Sequence, residues 1–347
     1  SVYAKFLGNF AERFGVKRVE GKIKSVRQHP DSGFIQGLEM ESGAHVDGDF
    51  FVDCTGFRGL LIEQTLHTGY EDWSHWLPCD RAVAVQTESI GPAAPYTRAI
   101  AHEAGWRWRI PLQHRVGNGL VYCSRYMTDN QATEKLLGEV EGKTIIQPRV
   151  IPFRTGRRRK VWSKNVLALG LASGFVEPLE STSIHLVVTG VARLIHLFPF
   201  SAVTQALVDQ YNRDALAEME HVRDFIILHY RATERNDTPF WRYCASMEVP
   251  ESLAHRIRMF RERAHAWQAD SELFRLDSWA QVMIGQGIRP EHYHLLPEAM
   301  PDQDLARFLE GLRTSINRVV ESMPPHQQFV DHYARASDEI WSKAGAM

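Results

Sequence analysis

The sequence has few cysteines and lacks a long apolar run. Its 347 residues include four cysteines, none in a CxxC pair: Cys54, Cys79, Cys123 and Cys244. This pattern predicts free thiols and a reducing, cytoplasmic compartment instead of a disulfide framework. Nowhere does an apolar run reach the roughly 18 residues that a membrane-spanning helix needs, and the first residues do not resemble a signal peptide. We therefore expect no membrane partner.

An excess of charge of either sign is also missing. Forty basic and 42 acidic residues give a net charge of -2. No global field therefore draws the chain to nucleic acid, and no nucleic-acid partner is predicted. The basic run at residues 157–160 follows Thr155-Gly156 and precedes an apolar segment, so we interpret it as a solvated turn. Hydrophobic residues at 44% and charged residues at 24% are typical of a globular protein.

Several common catalytic and nucleotide-binding motifs do not occur. The sequence contains no HExxH, no GxSxG and no Walker loop. His292 and His294 lack a third ligand at recognisable spacing, so no metal site is predicted. The two Gly-x-Gly segments, at residues 117–119 and 285–287, lack the third glycine of a dinucleotide-binding loop.

The patterns that are present change near residue 200. A helical stripe from Tyr3 to Phe14 ends near Gly15, and three strands are predicted at residues 16–26, 34–40 and 44–54. Further strand signals continue to about residue 170. After Pro199 the apolar residues recur at helical spacing. We predict an α/β fold with an antiparallel sheet layer over residues 1–199 and a helical region over residues 200–347.

Residues 165–184 form an unusual segment. An apolar strand ends at Gly170, small residues follow, and Pro178 leads into a helix that begins near Ser181. That helix is apolar nearly all round, which predicts burial. Its N-terminus would then offer unpaired N–H groups to an anion, with Glu180 beside it as a base. The residues alone favour a simpler alternative, in which Ser181 or Thr182 caps the helix and Glu180 faces water.

A second unusual segment contains two tryptophans. Trp106 and Trp108 lie two residues apart, so they share one face of a strand that Pro111 ends. The pair could form the wall of an aromatic pocket, and it could equally be packed in the core.

Together the two segments resemble the flavin-dependent tryptophan halogenase family. Trp106-x-Trp108-x-Ile110-Pro111 is similar to the family's WxWxIP signature, and Pro178-Leu-Glu-Ser-Thr182 is similar to its active-site loop. Four supporting matches occur in the family's order, at residues 53–62, 77–82, 235–241 and 285–288.

The resemblance implies a flavin-monooxygenase-like FAD-binding fold and a halogenase reaction. FAD, supplied as FADH2 by a separate flavin reductase, would react with oxygen to give a flavin hydroperoxide. Chloride or bromide would attack it, and the resulting hypohalous acid would halogenate an electron-rich, indole-type aromatic substrate. Other functions left open are a flavin hydroxylase without halide chemistry and an inactive fragment that only binds an aromatic ligand. A homodimer is also left open.

The resemblance also assigns roles to individual residues. Glu180 and Ser181 would be catalytic, and Thr182 and Ser183 would bind halide through their N–H groups. The remaining positions would contact the flavin or form the wall between flavin and substrate. The flavin contacts would be Leu171, Ile184, Gly56 and Gly170, and the wall would be Trp106, Trp108 and Pro111.

The sequence departs from the family pattern in three places. The family's GxGxxG loop and its catalytic lysine precede the matched region, so we expect this chain to be the C-terminal part of a longer one. Ser183 stands where many relatives have glycine. Residues 261–279 lack the tyrosine pair of tryptophan-specific members, which predicts indole or a bulkier indole as substrate in place of free tryptophan.

Overall fold

The computed structural model describes residues 2–270 and 272–335. The predicted first helix is α1 (Val2–Glu12), and Gly15 follows it with a φ of 86°. An antiparallel three-stranded sheet comes next, in the order β1 (Ile23–Gln28), β2 (Ile35–Met40), β3 (His45–Asp47). The first strand was predicted too early, because Val16 and Val19 are exposed and pairing begins only at Ile23.

The strand predicted over residues 44–54 is in fact two strands in different sheets. β3 pairs with β2, whereas β4 (Phe51–Asp53) pairs in parallel with β13 (Val166–Ala168). The chain bends between β3 and β4 so that Phe51 can donate its N–H to the carbonyl of Asn165, at 2.9 Å. This change of sheet places Asp53 beside the buried strand that leads to the predicted site.

A five-stranded antiparallel sheet forms the next layer, in the order β10-β6-β9-β8-β7. Its strands are β6 (Arg81–Thr87), β7 (Arg98–His102), β8 (Gly105–Pro111), β9 (Val116–Tyr122) and β10 (Arg149–Pro152). Helix α2 (Asp129–Glu139) packs on this sheet after a capping box formed by Thr128 and Gln131. The WxWxIP segment is therefore strand β8, which Pro111 ends as predicted.

Two small sheets complete the β structure. One has the order β14-β11-β5 and the other the order β12-β13-β4. Their remaining strands are β5 (Tyr70–Asp72), β11 (Gly156–Arg158), β12 (Trp162–Ser163) and β14 (Gly174–Phe175).

The interpretation of residues 157–160 as a solvated turn was wrong for its first two residues. Arg157 and Arg158 are buried in β11. Arg157 pairs with Glu71 and Glu220, and Arg158 pairs with Glu63 at 2.8 Å. Burial of these charges is tolerated because each has an acidic partner on a neighbouring element.

The helix after the predicted loop is α3 (Ser183–His196), and the prediction that it is buried was wrong. Gly190 is its only buried residue, because the helix packs by one side against Leu169 and Tyr211. The opposite side is exposed in the part of the chain that the structure describes, with Ile184 79% exposed.

Helices form the C-terminal region, as predicted. They are α4 (Gln205–Arg231), α5 (Pro239–Ser246), α6 (Glu251–Arg263), α7 (Leu276–Gly285), α8 (Asp302–Ser322) and α9 (His326–Phe329). The long helix α4 contacts α3, α5, α6, α7 and β12. No helix within residues 2–270 and 272–335 is long and apolar enough to cross a membrane.

Helix α4 is joined to the β structure by polar and apolar contacts. The Asn212 side chain accepts hydrogen bonds from the N–H groups of Val161 and Trp162, at 2.8 and 2.9 Å. The largest core cluster includes Trp106 from β8 and Phe225 and Tyr230 from α4. The mixed fold with antiparallel sheets and a helical C-terminal region is thus confirmed. The division at residue 199 stays a proposal, and one core spans that position.

Asp53 anchors the turn that follows β4. Its buried carboxylate accepts hydrogen bonds from the N–H and hydroxyl of Thr55 and from the N–H groups of Leu61 and Ile62, at 2.7 to 2.9 Å. These bonds hold the π-helical turn Leu60–Thr65 against the strand.

We expect Asp53→Ala to lower the free energy of unfolding by about 3 kcal/mol or more, because it leaves buried N–H groups without acceptors. Urea denaturation would measure the loss, with Asp49→Ala as control, since Asp49 is an exposed aspartate of the same segment. Equal stability of the two variants would contradict this role of Asp53.

Candidate active site

The loop that contains Glu180 has a hydrogen-bonded turn followed by one strained residue. A 3₁₀ turn, Pro178–Glu180, is closed by a hydrogen bond from the Ser181 N–H to the Pro178 carbonyl at 3.1 Å. Ser181 then adopts a φ of 55°, in the left-handed region that non-glycine residues rarely occupy. Such strain persists only where the surrounding structure imposes it, and it often accompanies a functional site.

The N-terminus of α3 directly follows this loop. Thr182 is its N-cap residue, but the Thr182 side chain makes no capping hydrogen bond. The Thr182 hydroxyl is buried and has no hydrogen-bond partner. The N–H groups of the first helical turn also lack intrahelical acceptors and carry the positive end of the helix dipole. Thr182 and Ser183 thus present hydrogen-bond donors, and a small anion could accept hydrogen bonds from them.

Glu180 points to α4 and does not simply face water. Its Oε1 atom lies 2.9 Å from Nε2 of His229, and its side chain is 32% exposed. The other ring nitrogen of His229, Nδ1, lies 2.8 Å from the Phe225 carbonyl one turn earlier in the helix. The alternative in which the Thr182 side chain caps α3 and Glu180 only faces water is therefore wrong, because Thr182 makes no capping hydrogen bond and Glu180 contacts α4.

A second carboxyl, Glu177, was missed by the sequence analysis. It is completely buried, and its Oε1 accepts hydrogen bonds from the indole N–H of Trp106, at 3.2 Å, and from the hydroxyl of Tyr230. Its Oε2 atom has no partner. Burial raises the pKa of Glu177 to about 7, although the hydrogen bonds from Tyr230 and Trp106 act in the opposite direction. The sequence signal that could have identified Glu177 is its position as an acidic residue within the apolar run before Pro178.

Two consecutive residues of α4 contact the two acids of the loop. His229 contacts Glu180, and Tyr230 contacts Glu177. The loop is therefore fixed at both ends by the last turn of one helix. Neither contact follows from sequence spacing, since about 50 residues separate the partners.

The two tryptophans of β8 lie beside this arrangement. Their ring centroids are 5.9 Å apart with the planes at 53°. Trp106 is buried and held by Glu177, whereas Trp108 is partly exposed. A side chain at Gly119 on β9 would collide with the Trp108 ring, so the glycine leaves it room. Pro111 lies at the end of the strand, opposite Val116.

The residues expected to contact flavin lie close together. Gly170, Leu171, Ser183 and Ile184 line one mostly apolar cavity of about 250 Å³, with Gly174 and Val187. Gly56 is not among its lining residues, but the turn Gly56–Arg58 contacts the turn Gly170–Ala172. The two turns and the first turn of α3 thus border one mostly apolar cavity that a planar ring system could enter.

A larger cavity of about 690 Å³ is lined by His229. Its lining includes Trp241, Glu234, Arg235 and Arg289. The Arg235 guanidinium lies 5.0 Å above the Trp241 ring and is paired with a neighbouring aspartate. Residues 2–270 and 272–335 contain no group of three or more His, Cys, Asp or Glu side chains arranged to hold a metal ion.

The raised pKa of Glu177 predicts a pH-dependent stability. Between pH 4.5 and about 7 the folded protein retains a proton that the unfolded chain has released, so the free energy of unfolding falls as the pH rises. Glu177→Gln keeps an acceptor for Trp106 and Tyr230 but cannot ionise. We expect its stability relative to wild type to increase by up to about 3 kcal/mol across this window.

Denaturation at several pH values would measure this change, with the exposed Glu134→Gln as control. If the stabilities of the wild type and of Glu177→Gln changed with pH in the same way, the result would contradict the burial of an ionisable Glu177.

Comparison with known proteins gives a consistent result. Residues 1–302 match the tryptophan halogenase family. A relative, tryptophan 6-halogenase SttH of Streptomyces toxytricini, is 39% identical over 267 residues, which cover 75% of this chain and 50% of SttH. The chain thus spans about half the length of the curated relatives it matches.

Solved structures have the same architecture. Xcc4156, a flavin-dependent halogenase from Xanthomonas campestris, superposes with a TM-score of 0.95 and 50% identity, covering 96% of this chain and 68% of that one. BrvH, a flavin-dependent halogenase from Brevundimonas sp. BAL3, gives a TM-score of 0.92 and 45% identity, covering 95% and 67%. The flavin-halogenase fold expected from the resemblance is confirmed, and the chain belongs to the tryptophan halogenase family.

Proposed function

We propose that this chain carries the halide and substrate side of an FADH2- and O2-dependent halogenase acting on an indole-type aromatic compound. The observation that carries the proposal is the position of Glu180. It lies two residues before the anion-ready N-terminus of α3, and it contacts His229, which lines the large cavity together with Trp241. Relatives named as halogenases support the assignment.

The apolar edge at Gly170, Leu171 and Ile184 fits a flavin ring, with the Gly56 turn next to it. When bound, FAD delivered as FADH2 by a flavin reductase supplies, with oxygen, the oxidising equivalents that convert chloride or bromide into hypohalous acid. Four free cysteines support a reducing, cytoplasmic location as part of the proposal.

Halide binding is assigned to the start of α3. The N–H groups of Thr182 and Ser183 would donate to the ion, and the unpartnered Thr182 hydroxyl could add a third donor. Ser183 can serve in place of glycine because its backbone N–H is the donor. Its side chain borders the apolar cavity and would narrow it.

Glu180, together with Ser181, would carry the chemistry on the substrate side. Ser181 next to it has a strained backbone, and the Glu180 carboxyl lies 2.9 Å from Nε2 of His229. A carboxylate at this position can accept the proton that an aromatic carbon loses on substitution. Trp106, Trp108 and Pro111 would form the wall that keeps substrate and flavin apart.

Two alternatives remain distinguishable by experiment. A flavin hydroxylase would give an oxygenated product that does not depend on bromide, and the chemistry of the halide-ready site at Thr182 argues against it. A chain that only binds an aromatic ligand would give no product with FADH2 and oxygen. Mass spectrometry of products formed with and without bromide separates these cases.

We expect Glu180→Gln, made in the full natural chain, to lower halogenation by at least about 100-fold while the oxidation of FADH2 stays normal. The amide retains the shape of the side chain but cannot accept a proton. Product formation by Glu180→Gln and by the exposed control Glu134→Gln would be compared by liquid chromatography. A rate near wild type in Glu180→Gln would show that Glu180 is structural.

We expect indole, or a bulkier indole without a free amino-acid group, to be preferred over tryptophan. Residues 261–279 supply no tyrosine pair, and Arg235 at the cavity is already paired with an aspartate. Binding the ammonium and carboxylate of tryptophan would leave buried charges poorly compensated.

The test is a competition between equal concentrations of indole and tryptophan with FADH2 and bromide. Mostly halotryptophan in the product would contradict the preference. Glu234→Gln would then show whether the Glu234 carboxylate at the cavity holds the ammonium group.

A further inference from the structure

The two nitrogen atoms of His229 have different and fixed partners. Nδ1 lies 2.8 Å from the Phe225 carbonyl oxygen, and Nε2 lies 2.9 Å from the Glu180 carboxyl. A carbonyl oxygen can only accept a hydrogen bond, so Nδ1 must carry a hydrogen. The backbone of α4 therefore sets the tautomer of His229.

This tautomer determines how Nε2 can meet Glu180. In the neutral ring Nε2 presents a lone pair, and an ionised carboxyl oxygen also presents lone pairs. The two atoms would repel at 2.9 Å unless one proton lies between them. The pair is therefore either an imidazolium with a carboxylate or a neutral imidazole with a carboxylic acid, and both forms contain one shared proton.

We propose that Glu180 and His229 form a dyad that holds one proton and recycles it during aromatic halogenation. The inference rests on the proposed function, which supplies hypohalous acid as the oxidant. As the halogen bonds to a ring carbon, its bond to oxygen breaks, and the shared proton passes from Glu180 to the leaving hydroxide to give water. The ring carbon then loses its hydrogen as a proton to the Glu180 carboxylate, which restores the pair.

His229 has a defined role in this cycle. The single proton rests on Nε2 of His229 or on the Glu180 carboxyl, so His229 can supply it through Glu180 to the leaving hydroxide, and the proton lost by the substrate carbon returns to the dyad through Glu180. The ring is fixed by the Phe225 carbonyl and by the Phe225 side chain, whose ring lies edge-on at 5.1 Å. Its side chain is only 17% exposed, which limits exchange of the proton with bulk water.

Other charged groups near His229 affect the dyad. Glu177 lies at the start of the loop, and the charge of His229 lowers the pKa of Glu177 against the larger effect of burial. Glu234, Arg235 and Arg289 line the cavity on the open side. The pH dependence of the reaction should therefore be described by the dyad as a unit and not by a single residue.

The shared proton can be tested without any turnover. In the chain labelled with ¹⁵N-histidine, NMR should show His229 with a proton on Nδ1 and a hydrogen-bonded proton at Nε2, assigned by its loss in His229→Gln. Glu180→Gln should change the Nε2 signals and leave Nδ1 protonated. Identical His229 spectra in wild type and Glu180→Gln, or an unprotonated Nδ1, would overturn the dyad.

Kinetics test its role in the full natural chain. In His229→Gln the amide can still donate to Glu180 but cannot transfer a proton. We expect kcat for indole bromination to fall about 100-fold with KM unchanged, and the pH profile of kcat to lose one limb. His221→Gln is the matched control, since His221 lies on the same helix 3.7 Å from the acid Glu272. It should keep the wild-type rate and profile.

The outcomes separate the two proposals. A folded His229→Gln protein with wild-type kcat and pH profile would overturn the dyad while the halogenase assignment stands. If the wild-type chain yields no halogenated product from any indole, the proposed function fails, and the NMR experiment still decides whether the proton is shared.

Discussion

The buried carboxyl of Glu177 is the constraint on which the site depends. It lies where β8, the Glu180 loop and α4 meet, and it accepts hydrogen bonds from one residue of each flanking element, Trp106 and Tyr230. Removing a carboxyl from water is costly, and two donors compensate only part of that cost, as the raised pKa of Glu177 indicates. Because Glu177 bonds to Trp106 and Tyr230, three elements that are distant in sequence have fixed relative positions.

The functional geometry follows from that junction. Once Tyr230 is held by Glu177, the preceding residue, His229, is directed at Glu180. The same junction holds the indole of Trp106, whose ring lies 5.9 Å from that of Trp108. The anion-ready end of α3 comes immediately after the clamped loop. The residues proposed for halide binding, for proton transfer and for the aromatic wall are therefore positioned around one buried polar contact and the core packed around it.

Two failed expectations show where local patterns mislead. Helix α3 is apolar nearly all round, yet it packs only by the side around Gly190. The prediction of burial failed because the composition of a helix does not specify how many neighbouring elements pack against it. Arg157 and Arg158 were expected to be solvated, since charged residues usually are. Their burial depends on Glu63, Glu71 and Glu220, which only folding brings near.

The sequence alone determined the α/β character, the helical C-terminal region, the strand that ends at Pro111 and the family to which the chain belongs. These follow from local periodicity and from short motifs such as Trp106-x-Trp108 and Pro178–Glu180. Only the tertiary structure shows the contacts of Glu177 with Tyr230 and of His229 with Glu180, because the partners are about 50 positions apart in the chain. Periodicity reports which face of an element is apolar, whereas a shared proton requires two atoms at a set distance, and that distance exists only in the folded chain.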